Sequence, residues 1–336
     1  MANKAHSHVR KRRRGCLGGC LIRILLLLGF AALLFVGACV LGFVSIDQQT
    51  GAPKLEIDAG NLSLDVLEKI KLPELDLPAV SLHGALPAWP YAVSDAGMTV
   101  KVLRAGGGEA ILVCCDGYTM LLGAGENGLL TGAQLLLCGA GRLSAAVAMS
   151  LEPGQMGGMN AVLSLTKPDY LLYPDTQTKR PDFNRMIEKA QHVGAKLIAP
   201  DQGLTFSLGR STVRIVGPKY KNHTDERDDG LSVRIDYGET SVLVMGTVTQ
   251  AAEREIVSSG APLDADVLIC ALGGGEEATG SVLVGAVTPQ IAVMTGENPA
   301  NAVKVRLERI GCRVYTVKEH GVMTVVSDGQ NVHIEP

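Results

Sequence analysis

The stretch Leu143–Gly158, LSAAVAMSLEPGQMGG, carries the strongest indication of the fold of this chain. Ala145–Met149 is a short apolar run that predicts a strand, and a polar stretch follows it. Gly157-Gly158 then opens a helical run from Met159 to Leu165. The sequence therefore predicts a strand, a polar loop and a helix in close succession.

This loop resembles the T-H-x-H-x-D-H-x-G-G loop of the metallo-β-lactamase superfamily. Setting Gly157-Gly158 on the two glycines of that motif places Ser150 and Glu152 at the first two histidines. Gly154 then stands at the aspartate and Gln155 at the third histidine. Of these four residues only Glu152 has a side chain that binds zinc well.

The resemblance continues in the same order over roughly residues 97–331, and it is closest to the extracytoplasmic hydrolase domain of ComEC-type DNA-uptake proteins. Four further stretches carry it: Gly106-x-Gly108-Glu109-Ala110 at the family's G-x-G-D-A turn, Gly123 at the aspartate of L-I-D-x-G, Thr247 at the metal-bridging aspartate, and Leu272-Gly273 at the last histidines. The motifs of the scaffold are thus present, whereas the positions of the metal ligands hold other residues.

The resemblance implies an α/β protein of the four-layer αββα type, with the metallo-β-lactamase-like domain at 97–336. It also implies a zinc or manganese centre, for which the ligands are missing, so we expect no cofactor and no metal. The expected function is that of a catalytically inactive binding or structural module. Its vestigial pocket would be lined by Ser150, Glu152, Gln155, Thr247 and Gly273.

The histidines support this expectation independently of any family. A catalytic zinc needs about three ligands from His, Cys and carboxylate groups, and the chain has only seven histidines. None of the closely spaced histidine pairs typical of such sites occurs after residue 97. His192 is predicted to lie on the surface of a helix, and His223 and His320 in solvated polar turns.

Two other functions are compatible with the sequence. In the first, the chain is a hydrolase with a non-standard site, in which Glu152 acts as a general base beside Ser150 on a phosphodiester or similar substrate. In the second, Gly123-x-Gly125-x-x-Gly128 after a strand is a dinucleotide-binding turn, with Glu152 at the end of the next strand. A lone motif of this kind is weak evidence.

The N-terminus predicts membrane attachment. Residues 1–23 form a basic tail, and residues 24–46 form an apolar run without charges that is long enough to span a bilayer. The positive charges before the run predict a single-pass signal anchor with a cytoplasmic N-terminus and an extracytoplasmic domain. Cleavage and lipidation at Cys39 is the alternative. The proline-containing residues 47–96 are predicted to form a stalk.

Charge disfavours nucleic acid as a partner. After Ile46 the chain has 34 acidic residues against 24 basic ones, a formal charge of about −10. Proteins that bind nucleic acid usually present a basic face, because contacts with phosphates supply much of the affinity. We therefore expect an unidentified protein or small molecule as the partner.

Periodicity and turn residues predict the remaining elements. Strands are expected at 98–104, 110–115, 118–122, 145–149, 170–173, 196–199, 212–216, 231–236, 241–245, 267–270, 291–294, 313–316 and 322–326. Helices are expected near 128–137, 156–165, 181–193, 249–258, 279–286 and 300–310. The cysteines in these runs are predicted to be buried free thiols, with Cys114 and Cys115 on opposite faces of one strand.

Overall fold

The computed structural model describes residues 44–46, 53–55 and 97–335. Its contacts divide the chain into two units, residues 1–83 and 84–336. In the first unit, β1 (Val44–Ile46) pairs antiparallel with β2 (Pro53–Leu55). No helix in the described ranges has the length and apolar character needed to cross a membrane. The predicted anchor at 24–46 lies outside them except for its last three residues, which are extended strand.

Within residues 97–335 the strands form two mixed sheets. The first has eight strands in the order β17-β16-β3-β4-β5-β6-β7-β8. Its members are β3 (Met98–Val102), β4 (Ile111–Cys115), β5 (Tyr118–Leu122), β6 (Ala145–Val147), β7 (Tyr170–Leu172), β8 (Lys196–Ile198), β16 (Met323–Ser327) and β17 (Val332–Glu335). Strands β5 to β8 run parallel, while the others pair antiparallel.

The second sheet has seven strands in the order β15-β14-β13-β12-β11-β10-β9 within the described residues. Its members are β9 (Thr205–Leu208), β10 (Ser211–Gly217), β11 (Ser232–Tyr237), β12 (Thr240–Val244), β13 (Val267–Ile269), β14 (Ile291–Met294) and β15 (Arg313–Thr316). Strands β12 to β15 are parallel and β9 to β12 antiparallel.

Alternation along each strand explains why the sheets pack face to face. In β4, Val113 belongs to a core that both sheets share, whereas Leu112 belongs to a second core on the outer face. In β12, Val244 enters the shared core and Leu243 a third core. Neighbouring residues point to opposite faces of a sheet, so an uninterrupted apolar run fills two layers at once.

Helices cover the two outer faces. Those of the first sheet are α1 (Gly128–Leu137), the short α2 (Pro153–Met156), α3 (Met159–Thr166) and α4 (Pro181–His192). Those of the second sheet are α5 (Gln250–Ser258), α6 (Ser281–Val287) and α7 (Asn301–Glu308). A last short helix, α8 (Val317–His320), follows β15. The order helix, sheet, sheet, helix is the four-layer αββα sandwich that the sequence resemblance implied.

The predicted thirteen strands and six helices all occur in the described region, with boundaries shifted by a few residues. The short elements β9, β17, α2 and α8 were not predicted. The described cysteines are free and buried as expected. Cys115 lies in the shared core and Cys114 in the outer one, which confirms that they face opposite ways.

Candidate functional site

A cavity of about 720 Å³ lies at one end of the sandwich. Its wall is formed by the turn between β3 and β4 and by loops that follow the carboxyl ends of β5, β6, β12, β13, β14 and β15. Loops at the carboxyl ends of parallel strands converge on one edge of a sheet, which is where α/β proteins commonly bind ligands. The two sheets therefore build this cavity together.

Four of the five residues predicted for the vestigial pocket line the cavity. They are Glu152, Gln155, Thr247 and Gly273. The fifth, Ser150, is fully buried and is not part of the cavity wall. The structure thus brings four of the five residues to one cavity and leaves Ser150 outside its wall.

Ser150 and Glu152 do not form a nucleophile and its base. The Ser150 hydroxyl accepts a hydrogen bond from the backbone N–H of Glu152 at 3.3 Å, and no bond joins it to the Glu152 carboxylate. A nucleophilic serine must reach both its base and the substrate. Ser150 meets neither requirement, since its side chain is fully buried and does not line the cavity.

The cavity floor is a hydrogen-bonded group of three side chains. Glu109 is 4% exposed; its Oε1 accepts from Thr295 Oγ1 at 2.7 Å and its Oε2 from Gln155 Nε2 at 3.0 Å. Burial raises the pKa of the Glu109 carboxyl, although both hydrogen bonds lower it. The remaining polar atom of this group, Gln155 Oε1, is buried without a hydrogen-bond partner in the described residues.

Thr247 and Gly273 also make contacts within the protein, a hydrogen bond in the first case and close backbone packing in the second. Thr247 Oγ1 donates to the Arg227 carbonyl at 3.1 Å. Gly273 has φ +62°, and a Cβ atom there would lie 2.6 Å from the backbone nitrogen of Gly296. No larger side chain, a histidine included, fits at position 273 without moving that backbone.

The residues at these positions do not fit a zinc or manganese centre. The positions that the sequence resemblance aligns with carboxylate and imidazole ligands hold a hydroxyl, an amide and a glycine, and the two polar side chains are already hydrogen-bonded. Across the described ranges no group of three or more His, Cys, Asp or Glu side chains is arranged to hold a metal ion. The donor chemistry therefore disagrees with the centre that the resemblance implies.

The dinucleotide motif lies on a strand, a turn and the start of a helix, but the backbone N–H groups of the turn are already hydrogen-bonded within the protein. The N–H groups of residues 123–127 donate to the carbonyls of Val147, Gln155, Glu109, Gly107 and Ala105, in that order. Pyrophosphate binding requires such N–H groups to face the ligand. The glycines serve close packing instead, since a Cβ atom at Gly125 would lie 2.3 Å from that of Ala105. This geometry contradicts the dinucleotide hypothesis.

Several residues of the site were missed from the sequence. Glu126, Glu297 and Thr295 line the cavity together with Glu109. The turn at Gly106-x-Gly108-Glu109 was recognised as a motif, and Thr295 follows a buried strand just as Thr247 does. The sequence therefore contained a signal that could have placed Glu109 and Thr295 at the cavity.

His223 was predicted to be solvated, and this was wrong. Its side chain is 16% exposed; Nδ1 lies 2.7 Å from Asp229 Oδ1 and Nε2 lies 3.0 Å from Glu255 Oε2. Burial lowers the pKa of His223, but the hydrogen bonds with Glu255 and Asp229 raise it above the usual value. His192 is exposed on α4, as predicted.

No protein-family model matches the sequence, and no curated protein matches it. Solved structures similar to the chain include the metallo-β-lactamase fold protein YhfI from Bacillus subtilis, with 12% identity, a TM-score of 0.47 and coverage of 67% of this chain and 98% of that one. A putative metal-dependent hydrolase from Parabacteroides distasonis ATCC 8503 has 13% identity and a TM-score of 0.44, covering 66% and 93%.

A diphosphatase from the PhnP family has 11% identity and a TM-score of 0.39, with coverage of 58% of this chain and 85% of the diphosphatase. Similarity at this level says nothing about what this chain binds or catalyses. The solved structures that the chain is similar to thus include metallo-β-lactamase fold proteins, the superfamily whose motifs its sequence resembles.

Proposed function

We propose that this chain is a membrane-anchored, externally exposed binding module on a metallo-β-lactamase-like scaffold, related to the ComEC-type hydrolase domain and without metal-dependent hydrolase activity. The observation that carries this proposal is the hydrogen-bonded floor formed by Glu109, Gln155 and Thr295. Gln155 stands where the family has a metal-binding histidine, and here its amide bonds another side chain of the protein.

Binding is the function that the remaining geometry supports. The cavity volume of about 720 Å³ falls within the range of roughly 300–1,000 Å³ that small-molecule sites occupy. Apolar side chains such as Leu103, Leu130 and Leu272 share its wall with carboxyl groups. An apolar wall with a few polar groups is the usual composition of a ligand site.

The test is the metal content of the full-length chain, purified without chelator from culture supplemented with zinc and manganese. Phosphodiester and β-lactam hydrolysis are assayed on the same sample. We expect less than about a tenth of an equivalent of metal and no turnover, because about three ligands are needed to retain a catalytic metal. One or two tightly held equivalents would contradict the proposal.

Glu152→Ala distinguishes the binding module from a hydrolase with a non-standard site. If Glu152 were a general base, the substitution would lower the turnover rate by about 10²-fold or more. In the binding module there is no turnover to lose, and we expect the variant to fold, because the Glu152 side chain is half-exposed. Turnover in the unaltered chain that disappears in Glu152→Ala would establish the hydrolase instead.

Membrane anchoring through residues 24–46 is tested by fractionation. The full-length chain should stay with the membrane pellet after an alkaline wash, because a span of about 20 apolar residues inserts stably. Protease added outside intact cells should reach the domain if it is extracytoplasmic. Release by the wash, or protection of the domain from external protease, would argue against this part of the proposal.

A further inference from the structure

The charges on the cavity wall are unbalanced. Glu109, Glu126, Glu152 and Glu297 contribute four carboxyl groups, whereas Arg104 is the only basic residue among the described residues that line the cavity. Like charges that share a cleft with low-dielectric walls reinforce one another and raise the local concentration of the opposite charge. The cavity therefore favours a positively charged ligand.

The floor of the cavity also has more hydrogen-bond acceptors than donors. Both oxygens of Glu109 accept bonds from protein side chains, and Gln155 Oε1 has no donor at all in the described residues. Gln155 is 4% exposed and belongs to the cavity wall. Buried polar atoms in folded proteins almost always have a partner. Gln155 Oε1 lies beneath the surface of the floor, so its uncompensated partial negative charge adds to that of the carboxyl groups and favours a cation in the cavity above it.

The carboxyl groups are spread around the cavity. They come from the turn before β4 and from the loops after β5, β6 and β14. Within the described part of the chain no three of the acidic, histidine or cysteine side chains are grouped closely enough to hold a metal ion. A single small cation cannot satisfy groups so arranged, whereas a ligand with separated cationic nitrogens can.

We propose that the cavity binds an organic ligand with two or more separated ammonium or guanidinium groups, of which a linear polyamine is the simplest example. This inference rests on the proposed function, because it takes the cavity to be a binding site without a metal. Carboxylates at the mouth would pair with the cationic nitrogens. The apolar side chains of Leu103, Leu130, Leu272 and Val317 would contact the methylene segments between them.

The experiment is calorimetric titration of the full-length chain, in an uncharged detergent, with spermidine. We expect saturable binding of one spermidine per chain. The single variants Glu126→Gln, Glu152→Gln and Glu297→Gln should each weaken binding by about 2- to 5-fold, the range of a solvent-accessible ion pair. Glu188→Gln is the matched control, since Glu188 is exposed on α4 and does not line the cavity.

Three results would overturn the ligand class. The first is spermidine binding that the cavity variants and Glu188→Gln weaken equally, which would indicate general attraction to an acidic protein. The second is binding of Mg²⁺ or of bis(4-nitrophenyl) phosphate in place of spermidine. The third is the absence of spermidine binding. If the chain retains no metal and shows no turnover in the assays of the proposed function, each of these results contradicts only the ligand class, and the proposed binding module stands. If the chain retains metal and shows turnover, the proposed function itself is contradicted.

Discussion

Glu109 is the residue on which the cavity floor depends. It bonds Gln155 from the loop after β6 and Thr295 from the loop after β14, so it joins loops of both sheets. The usual position of an ionised carboxylate is at the surface, and Glu109 is instead almost completely buried. Among the residues that the structure describes, its side-chain partners are the neutral Thr295 and Gln155, and burial is the largest influence on its pKa.

We expect Glu109→Gln to stabilise the protein at neutral pH by about 1–3 kcal/mol, the cost of leaving a buried group poorly paired. Burial raises the folded-state pKa of Glu109 above the ordinary value of 4.5. The folded protein therefore holds the proton more tightly, and stability falls as pH rises from about 4.5 through the folded-state pKa. An amide at position 109 has no such titration and can donate to Gln155 Oε1 once the Gln155 amide turns.

Urea unfolding of both proteins between pH 4 and pH 8 measures this effect. The difference should be small at pH 4 and should grow as pH rises. Glu188→Gln, a change of the same kind on the surface, should leave the profile unaltered. A Glu109→Gln variant that is less stable than the unaltered chain at pH 8 would show that the carboxylate is favourable where it lies.

Gly125 shows why a motif can mislead at the residue scale. Gly125 belongs to the turn whose sequence resembles a dinucleotide-binding motif, but its φ is +63° and a Cβ atom there would lie 2.3 Å from that of Ala105. We expect Gly125→Val to destabilise the fold by more than about 2 kcal/mol through strain and overlap. Gly117→Ala is the control in urea unfolding, since it has φ +80° and open space, and it should lose only about 1 kcal/mol. Equal losses would remove the steric explanation.

At the scale of elements, α5 illustrates what the sequence could and could not predict. Its boundaries were predicted at 249–258 and observed at Gln250–Ser258, because Thr249 is a good N-cap and its side chain accepts from Ala251 N. The partners of the helix were not predictable. Asp228, 21 residues earlier, bonds both Thr249 N and Thr249 Oγ1. Contacts so distant in sequence leave no periodic signal.

His223 joins the loop before β11 to α5 through Asp229 and Glu255. The pKa of His223 in the folded state lies above the ordinary value of 6.5. Its contribution to stability is therefore complete below pH 6.5 and is lost as pH rises through the folded-state pKa. We expect His223→Gln to cost about 1–3 kcal/mol at pH 6, the range for hydrogen bonds to charged groups, and less at pH 9.

Chemical unfolding at the two pH values checks this expectation, with His192→Gln on the exposed face of α4 as the control. A His223→Gln loss that is the same at pH 6 and pH 9 would mean that packing, and not the charged pairs, accounts for the role of His223.

At the scale of the whole molecule, the sandwich could be predicted because the central strands β4 to β7 and β12 to β14 carry apolar residues on both faces. Strands β9 and β17 were missed because they lack such an apolar run. Each lies at a sheet edge and has only two apolar residues, which alternate with exposed polar ones. The cavity floor was missed because its members are 46 and 186 residues apart in the chain.

The core between the sheets should make the two halves unfold together. Ile235 of β11 is fully buried in that core, which also contains Val113 of β4 and Val244 of β12. We expect Ile235→Ala to cost about 2–5 kcal/mol, since it leaves a cavity in a core with few ways to collapse. Val282→Ala, at a 51% exposed position, should change stability by less than about 0.5 kcal/mol. Urea unfolding followed by circular dichroism gives both values.

Native-state hydrogen exchange then separates a shared core from two independent ones. If both sheets depend on the core around Ile235, the amides of β4 and β12 should lose protection by the same free energy in Ile235→Ala, because both exchange through global unfolding. Loss confined to β12, on the sheet that contains Ile235, would mean that the first sheet folds without the second. In that case the cavity, whose wall is built from loops of both sheets, would lack a fixed shape before its ligand arrives.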